Sequence, residues 1–382
     1  MQSSTRSAID PFIVMDVMEA ARQAEAENRH IIHMEVGQPS TPAPETARRA
    51  LAQAMDAGPL GYTVALGLPE LRAGIAGLYA DWYGLDIDPG RIVVTAGASG
   101  AFLLAFTALF DAGARVGLAA PGYPSYRKIL SAMSLNPVSI PGQAEHGFQP
   151  QPSDVAGLNG LIAASPANPT GTMLSKDELA ALAAACTSAN CAFISDEIYH
   201  GISYDGRCVS ALEVTDDVYV VNSFSKYFSM TGWRVGWMVV PEDHVRIVER
   251  IAQNMFICPP HASQVAALGA LQGREELDGH LATYRVNRAL LLDGFATAGI
   301  NVISPADGAF YLYLDVSEFT QDSTALATDI LEHAGVAVTP GLDFDEVRGH
   351  ETLRLSYARS TEDMAEGLKR LSAYFADRRA AR

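Results

Sequence analysis

Lys226 stands in the stretch SFSKYFSMTGWRVGW, residues 223 to 237, beside Phe224, Tyr227, Phe228 and Trp233, with Arg234 eight residues on. An ammonium group is costly to bury in its charged form. Desolvation lowers its pKa, and the neutral amine is then a nucleophile that forms a Schiff base with an aldehyde. A lysine whose stem lies along the rings while its charge reaches water accounts for the same residues taken alone. The lysine census narrows the choice: there are four, Lys128, Lys176, Lys226 and Lys369, against 23 arginines. The other three fall on polar faces or ends of predicted helices. Ser223 and Ser225 add hydroxyl donors and Arg234 a planar fork, the groups that hold a phosphate. A phosphate-bearing aldehyde would engage the whole stretch at once.

Four other segments offer chemistry. VVTAGASGAFLLAF (93–106) reads as a strand, a Gly-rich turn and a helix start, where the backbone N–H groups of Ala98 and Ser99 face an anion. A turn that needs glycine for steric reasons reads the same way. AFISDEIYHGI ends an apolar strand in Asp196, with Tyr199 three residues on. At the carboxyl end of a strand in an open sheet Asp196 points into the ligand crevice, where it holds a proton on a heterocyclic nitrogen; as an N-cap it would instead start the next helix. SPANPTGTMLS carries two X-Pro bonds, either of which can be cis, and sets Asn168 at a fixed depth. In TLRLSYA, Arg354 alternates with Leu353 and Leu355, which suits a carboxylate clamp and equally a surface arginine on an edge strand.

These residues need a scaffold. Between about residues 91 and 240 the runs RIVVT, RVGLAA, LIAAS, AFIS, VYVVN and VGWMVV alternate with helix-like segments. That alternation predicts a mainly parallel, doubly wound α/β sheet covered on both faces. The clearest helix is SKDELAALAAACTSAN, with Ser175 as cap, Leu179, Leu182 and Ala183 on one face and Asn190 at the stop. Residues 13 to 29 read as a helix, and after residue 260 two helical stretches, GAFYLYLDV, ALATDILEHAG, ETLRLSYA and a last amphipathic helix from 361 to 377 form a separate α+β layer. The expected division is a large domain over 45–285 and a smaller one built from 1–44 and 286–382.

Composition excludes several classes. The net charge of −17 argues against nucleic-acid binding, which depends on clustered Lys and Arg. No apolar run reaches the ~20 residues that span a bilayer, and the opening lacks a signal-peptide core, so the protein is expected in the cytoplasm. Four cysteines without C-x-x-C spacing suggest buried small hydrophobes and no metal site.

In their order along the chain, these motifs resemble the class I/II aminotransferases, which are fold-type I pyridoxal-phosphate enzymes; the resemblance runs from EVGQPS to LRLSYA. It implies that Lys226 forms the internal aldimine with pyridoxal 5′-phosphate and that Asp196 bonds the pyridine nitrogen. Tyr199 and Asn168 would bond the ring's phenolic oxygen, and Tyr123 of PGYPSY would stack on the ring. Ala98, Ser99, Ser223, Ser225 and Arg234 would hold the phosphate, with Tyr62 of GYT reaching across from the second subunit of a homodimer. Arg354, helped by Asn168 and the Gly37 backbone of VGQP, would clamp the substrate carboxylate. The implied reaction is a ping-pong exchange of an amino group between an L-amino acid and a 2-oxo acid.

Departures from the pattern bear on the substrate. Ser165 and Ala167 replace residues of the usual NPxNPTG stretch, and Ser99 stands where some dicarboxylate-specific relatives carry a basic residue. No second arginine for a side-chain carboxylate stands out among Arg127, Arg285 and Arg288. Two rivals share the fold: a carbon–sulfur lyase, told apart by pyruvate release without an added oxo acid, and a non-catalytic regulator, disfavoured by the charge and by a chain that begins with the fold's own first helix. A nicotinamide dehydrogenase lacks its glycine fingerprint.

Overall fold

The computed structural model describes residues 1–381. Its strands, in chain order, are β1 (Ile32–His33), β2 (Ile92–Thr95), β3 (Arg115–Ala120), β4 (Asn136–Pro141), β5 (Gly160–Ala164), β6 (Ala192–Asp196), β7 (Tyr219–Ser223), β8 (Gly236–Val239), β9 (Asn301–Val302), β10 (Tyr311–Asp315), β11 (Val336–Ala337), β12 (Thr339–Pro340) and β13 (Thr352–Ser356). Seven form one sheet in the order β2-β8-β7-β6-β5-β3-β4. Only β8 runs antiparallel to its neighbours. Because β8 reverses twice, β2 points the same way as β5, β6 and β7. Thr95, Ala164, Asp196 and Ser223 therefore finish at one edge of the sheet, which is where a doubly wound fold binds its ligand.

Both faces of this sheet are covered. Val220 packs in one apolar cluster while its neighbours Tyr219 and Val221 pack in the other, and Val94 and Val93 divide in the same way. This accounts for the near-continuous apolar runs that mark these strands in the sequence. β4, NPVSIP, carries none of that signal. Two prolines interrupt it, and they are tolerated because β4 pairs with β3 alone at the sheet edge.

The C-terminal layer is a four-stranded sheet, β12-β13-β10-β9, joined by the short pair β1-β11. Through β1, which pairs in parallel with β11, the N-terminal segment enters this layer. The helix Lys176–Ser188 starts at Ser175, whose hydroxyl accepts from the Glu178 amide while the Glu178 carboxylate accepts from the Ser175 amide. It stops before Asn190, which adopts the left-handed region at φ 51°. The first helix is shorter than expected, Ile13–Ala26, because Asn28 turns left-handed at φ 65°. The helix Arg274–Thr297 runs unbroken through residues 285 and 286.

One lysine departs from the sequence reading. Lys176 and Lys369 are exposed helix lysines. Lys128 is not: its ammonium donates to the Pro11 carbonyl and pairs at 3.4 Å with the buried carboxylate of Asp343. Helical position alone did not reveal that the N-terminal segment crosses this face.

Candidate active site

At the carboxyl edge of the large sheet a cavity of about 230 Å³ opens between the sheet and the C-terminal layer. β6 delivers Asp196 to its floor. Asp196 is buried; one carboxylate oxygen accepts from the Ile198 amide at 3.1 Å and the other from the Tyr126 hydroxyl. Burial raises its pKa to about 6, against the pull of those two bonds and of Lys226. The capping bond and the crevice position coexist, although the following residues form turns, not a helix.

Lys226 follows β7 and enters the cavity from one side, its ammonium donating to the Gly37 carbonyl at 2.6 Å. Its pKa is lowered to about 7, first by burial and then by the charges of Arg354 and Arg234, while Asp196 opposes the shift. The aromatic residues beside it in sequence are not its surroundings. Phe224 and Phe228 pack on each other and on Trp237 and Trp82, and Tyr227 packs on Trp82, all in the core. The ring facing the ammonium is that of Tyr199, 5.7 Å away.

The depressed pKa gives a pH prediction for the cofactor-free protein. Between pH 7 and the ordinary lysine value of 10.5 the unfolded chain carries a proton on Lys226 that the folded chain lacks, so stability rises with pH across that window. Lys226→Met removes this slope. Urea unfolding should show the wild type gaining about 3 kcal/mol on the variant between pH 7 and 9.5. Parallel pH dependences would refute the assignment.

β13 carries Arg354, which is buried and central: it pairs with Tyr313 of β10 on one side and Thr339 of β12 on the other. The edge-strand alternative is thereby excluded. Its guanidinium donates to Asn168 Oδ1 at 3.0 Å, to Thr339 Oγ1 at 3.3 Å and to the Glu35 carbonyl, and lies over the rings of Tyr311 and Phe344. These acceptors are all neutral, and Arg354 Nε has no partner among the described residues. Asn168 precedes a cis proline, as does Ser165. With its oxygen engaged by Arg354, the Asn168 amide nitrogen is left to donate into the cavity.

The phosphate-type donors gather at the helix Gly97–Leu109. No side chain caps its start, so the amides of its first turn, Ala98 and Ser99 among them, are left for a ligand. Ser225 lines the same space and shares a 2.8 Å hydrogen bond with Ser223 just behind. Arg234, held at φ 53°, presents an exposed guanidinium at the rim. It passes so close to Gly97 that a Cβ there would lie 2.6 Å from Arg234 Nη2.

Comparison with known proteins then decides the family. The model for aminotransferase class I and II matches residues 29–371. A valine–pyruvate aminotransferase of Mycobacterium tuberculosis is 46% identical over 377 residues, 97% of each chain. The aspartate/prephenate aminotransferase of Thermus thermophilus is 32% identical, covering 96% of each chain. The crystal structure of an aminotransferase from Mycobacterium tuberculosis superposes with a TM-score of 0.96 at 45% identity, over 99% of this chain and 100% of that one. The chain belongs to the class I and II aminotransferases. It is a pyridoxal-phosphate-dependent, fold-type I enzyme that exchanges an amino group between an L-amino acid and a 2-oxo acid.

The residues present suit that cofactor. An uncapped helix start, two linked hydroxyls and an arginine are donors suited to a phosphate, and a buried carboxylate and a lysine of depressed pKa line the same cavity. The cavity of this aminotransferase is also lined by residues that sequence reasoning missed. Tyr126 orients Asp196 through its hydroxyl. Tyr311 shares a 2.7 Å hydrogen bond with Tyr199 and fills the space beside Gly37, where a Cβ would come within 1.7 Å of the Tyr311 oxygen. That close approach requires glycine at position 37. Strand alternation in GAFYLYLDV could have placed Tyr311, but not its partners. Tyr123 lines the cavity, edge-to-face with Tyr126 at 5.2 Å. Tyr62 does not line it: the side chain is 83% exposed.

Proposed function

We propose that this aminotransferase takes neutral, apolar L-amino acids as donors and a small 2-oxo acid such as pyruvate as acceptor. The observation that carries the reading is the cavity wall. Among the described residues of one subunit, the cationic side chains that line it are Lys226, Arg234 and Arg354, whereas Phe12, Val14, Met15, Val36 and Ile129 give it an apolar wall. The arginines considered for a second carboxylate are engaged elsewhere: Arg127 with Glu346, Arg285 with the Tyr204 carbonyl, Arg288 with the Ala306 and Pro305 carbonyls. A side-chain carboxylate buried here would lack a partner, at a cost of several kcal/mol. The similarity to a valine–pyruvate aminotransferase supports the same choice.

In this reading pyridoxal phosphate supplies an electron-withdrawing ring that accepts the charge left when the substrate Cα loses its proton. Asp196 would hold a proton at the ring nitrogen. Tyr199 and Asn168 would donate to the phenolic oxygen, and Tyr123 would stack on the ring. The amides of Ala98 and Ser99, the hydroxyls of Ser223 and Ser225, and Arg234 would bind the phosphate. Arg354, with Asn168 and the Gly37 backbone, would bind the α-carboxylate and so orient Cα. Lys226 would attach the cofactor and, as a free amine, would move the proton from the substrate Cα as general base; a neutral amine is suited to both roles.

The same reading assigns residues 45–285 to a large domain and 1–44 with 286–382 to a smaller one, the pairing of β1 with β11 supporting the union of the chain ends. It also places the protein in the cytoplasm as a homodimer, with the exposed Tyr62 reaching the partner's phosphate site. The donor test is the loss of the cofactor's visible absorbance as single amino acids are added. Valine should exceed aspartate in kcat/KM by about a hundredfold. Aspartate reacting as fast as valine would overturn the substrate reading.

A further inference from the structure

The segment Pro11–Met15 closes one side of the cavity, with Phe12, Val14 and Met15 among its lining residues. Its helix, Ile13–Ala26, has no cap of its own: the N-cap position is Phe12, which offers no side-chain acceptor. The cap comes from a residue far along the chain. The buried carboxylate of Asp343 accepts from the amides of Ile13 at 3.4 Å and Val14 at 3.3 Å. A carboxylate there satisfies orphan donors and meets the positive end of the helix dipole.

Lys128 completes the arrangement, pairing with Asp343 at 3.4 Å and donating to the Pro11 carbonyl while its ammonium lies 5.3 Å over the Phe12 ring. Lys128 belongs to the helix Pro124–Ala132, which also brings Tyr126 and Ile129 to the cavity. Phe12 in turn meets Tyr123 edge-to-face at 6.0 Å. One ion pair thus fastens the outer wall to the inner one. Met15 stays 47% exposed, an apolar side chain at the mouth left without cover.

We propose that the Lys128–Asp343 pair sets donor selectivity by holding Phe12, Val14 and Met15 as the wall against which a branched apolar side chain packs. Lys128 and Asp343 act as positioning residues, and the inference rests on the apolar-donor reading above. Unpinning the segment removes contacts that valine makes and that alanine, smaller by two methyl carbons, has less of to lose.

The test measures kcat/KM for valine and alanine in the holoenzyme. In Lys128→Met the valine-to-alanine ratio should fall about tenfold, chiefly through KM, because a pocket contact of one or two carbons discriminates by that order. Lys128→Arg, which keeps the charge and a donor, should restore most of the ratio. The visible cofactor band reports whether each variant has folded; if Lys128→Met loses it, Lys128→Gln carries the same expectation, and if both do, Asp343→Asn, which removes the charge at the other end of the pair, decides. An unchanged ratio in a folded variant, or an equal fall for both donors, overturns the proposal. Failure of valine as a donor for the wild type would instead sink the substrate reading.

Discussion

Lys226→Ala should bind pyridoxal phosphate, show no visible band that borohydride fixes to the protein, and transaminate at least about 10⁴-fold more slowly than wild type. Binding should survive because the phosphate donors lie elsewhere, at the start of the helix Gly97–Leu109, at Ser223 and Ser225, and at Arg234. Covalent attachment should not, since the other three lysines are outside the cavity lining. The size of the rate loss follows from the two roles proposed for this one amine. Removing a positioned general base costs about 10²–10⁴-fold, and the attachment step vanishes as well. Lys226 is poised for both by burial and by the neighbouring guanidinium groups, which bring its pKa to about 7. A small primary amine added to the variant should restore part of the proton transfer, which separates a missing base from a collapsed site. Mass spectrometry of the reduced wild type should find the adduct on Lys226; an adduct on Lys128, or variant turnover within a hundredfold of wild type, would reject the assignment.

The reasons Lys226, Asp196 and Arg354 could be read from sequence differ from the reason Tyr126, Tyr311 and Lys128 could not. The first three sit at positions that strand ends and alternation specify locally. Asp196 closes an apolar run, Arg354 alternates with leucines, and the lysine follows another strand end. The second three act through partners 70 to more than 200 residues away. Tyr126 means little until β6 brings Asp196 beneath it, and Lys128 reads as a solvated helix lysine until the N-terminal segment crosses it. The fold divides similarly. Strands buried on both faces announce themselves by unbroken apolar runs, whereas β4 hides behind Pro137 and Pro141, and the antiparallel course of β8 is a fact of pairing that no local pattern carries. The expectation for Lys226 rested on a neighbourhood that the structure does not have. Its adjacent rings turn into the core, and the pKa is lowered by burial and two arginines supplied from other segments.

Arg354→Met should lower kcat/KM by about 10²–10³-fold, with most of the loss in KM, because the substrate α-carboxylate forfeits a buried guanidinium. The guanidinium is prepared for an anion. Its partners on the protein are an amide oxygen, a carbonyl and a hydroxyl, none of which neutralises it, and Nε has no partner among the described residues. Stacking between Tyr311 and Phe344, with centroids at 4.4 and 4.7 Å, fixes the plane of the fork and leaves little entropy to lose on binding. Arg354→Lys should recover only part of the loss, since a point charge cannot reproduce a stacked, bidentate group. A second readout tells a substrate clamp from a structural arginine. After burial, Arg354 is the largest cause of the depressed Lys226 pKa, so removing its charge must raise that pKa. Attachment of pyridoxal phosphate to the cofactor-free protein needs the neutral amine, and its rate rises with pH as Lys226 deprotonates. In Arg354→Met this rise should move to higher pH, while Arg354→Lys, which keeps the charge, should leave it close to wild type. A variant with the KM defect but an unmoved pH profile would break the link between clamp and nucleophile.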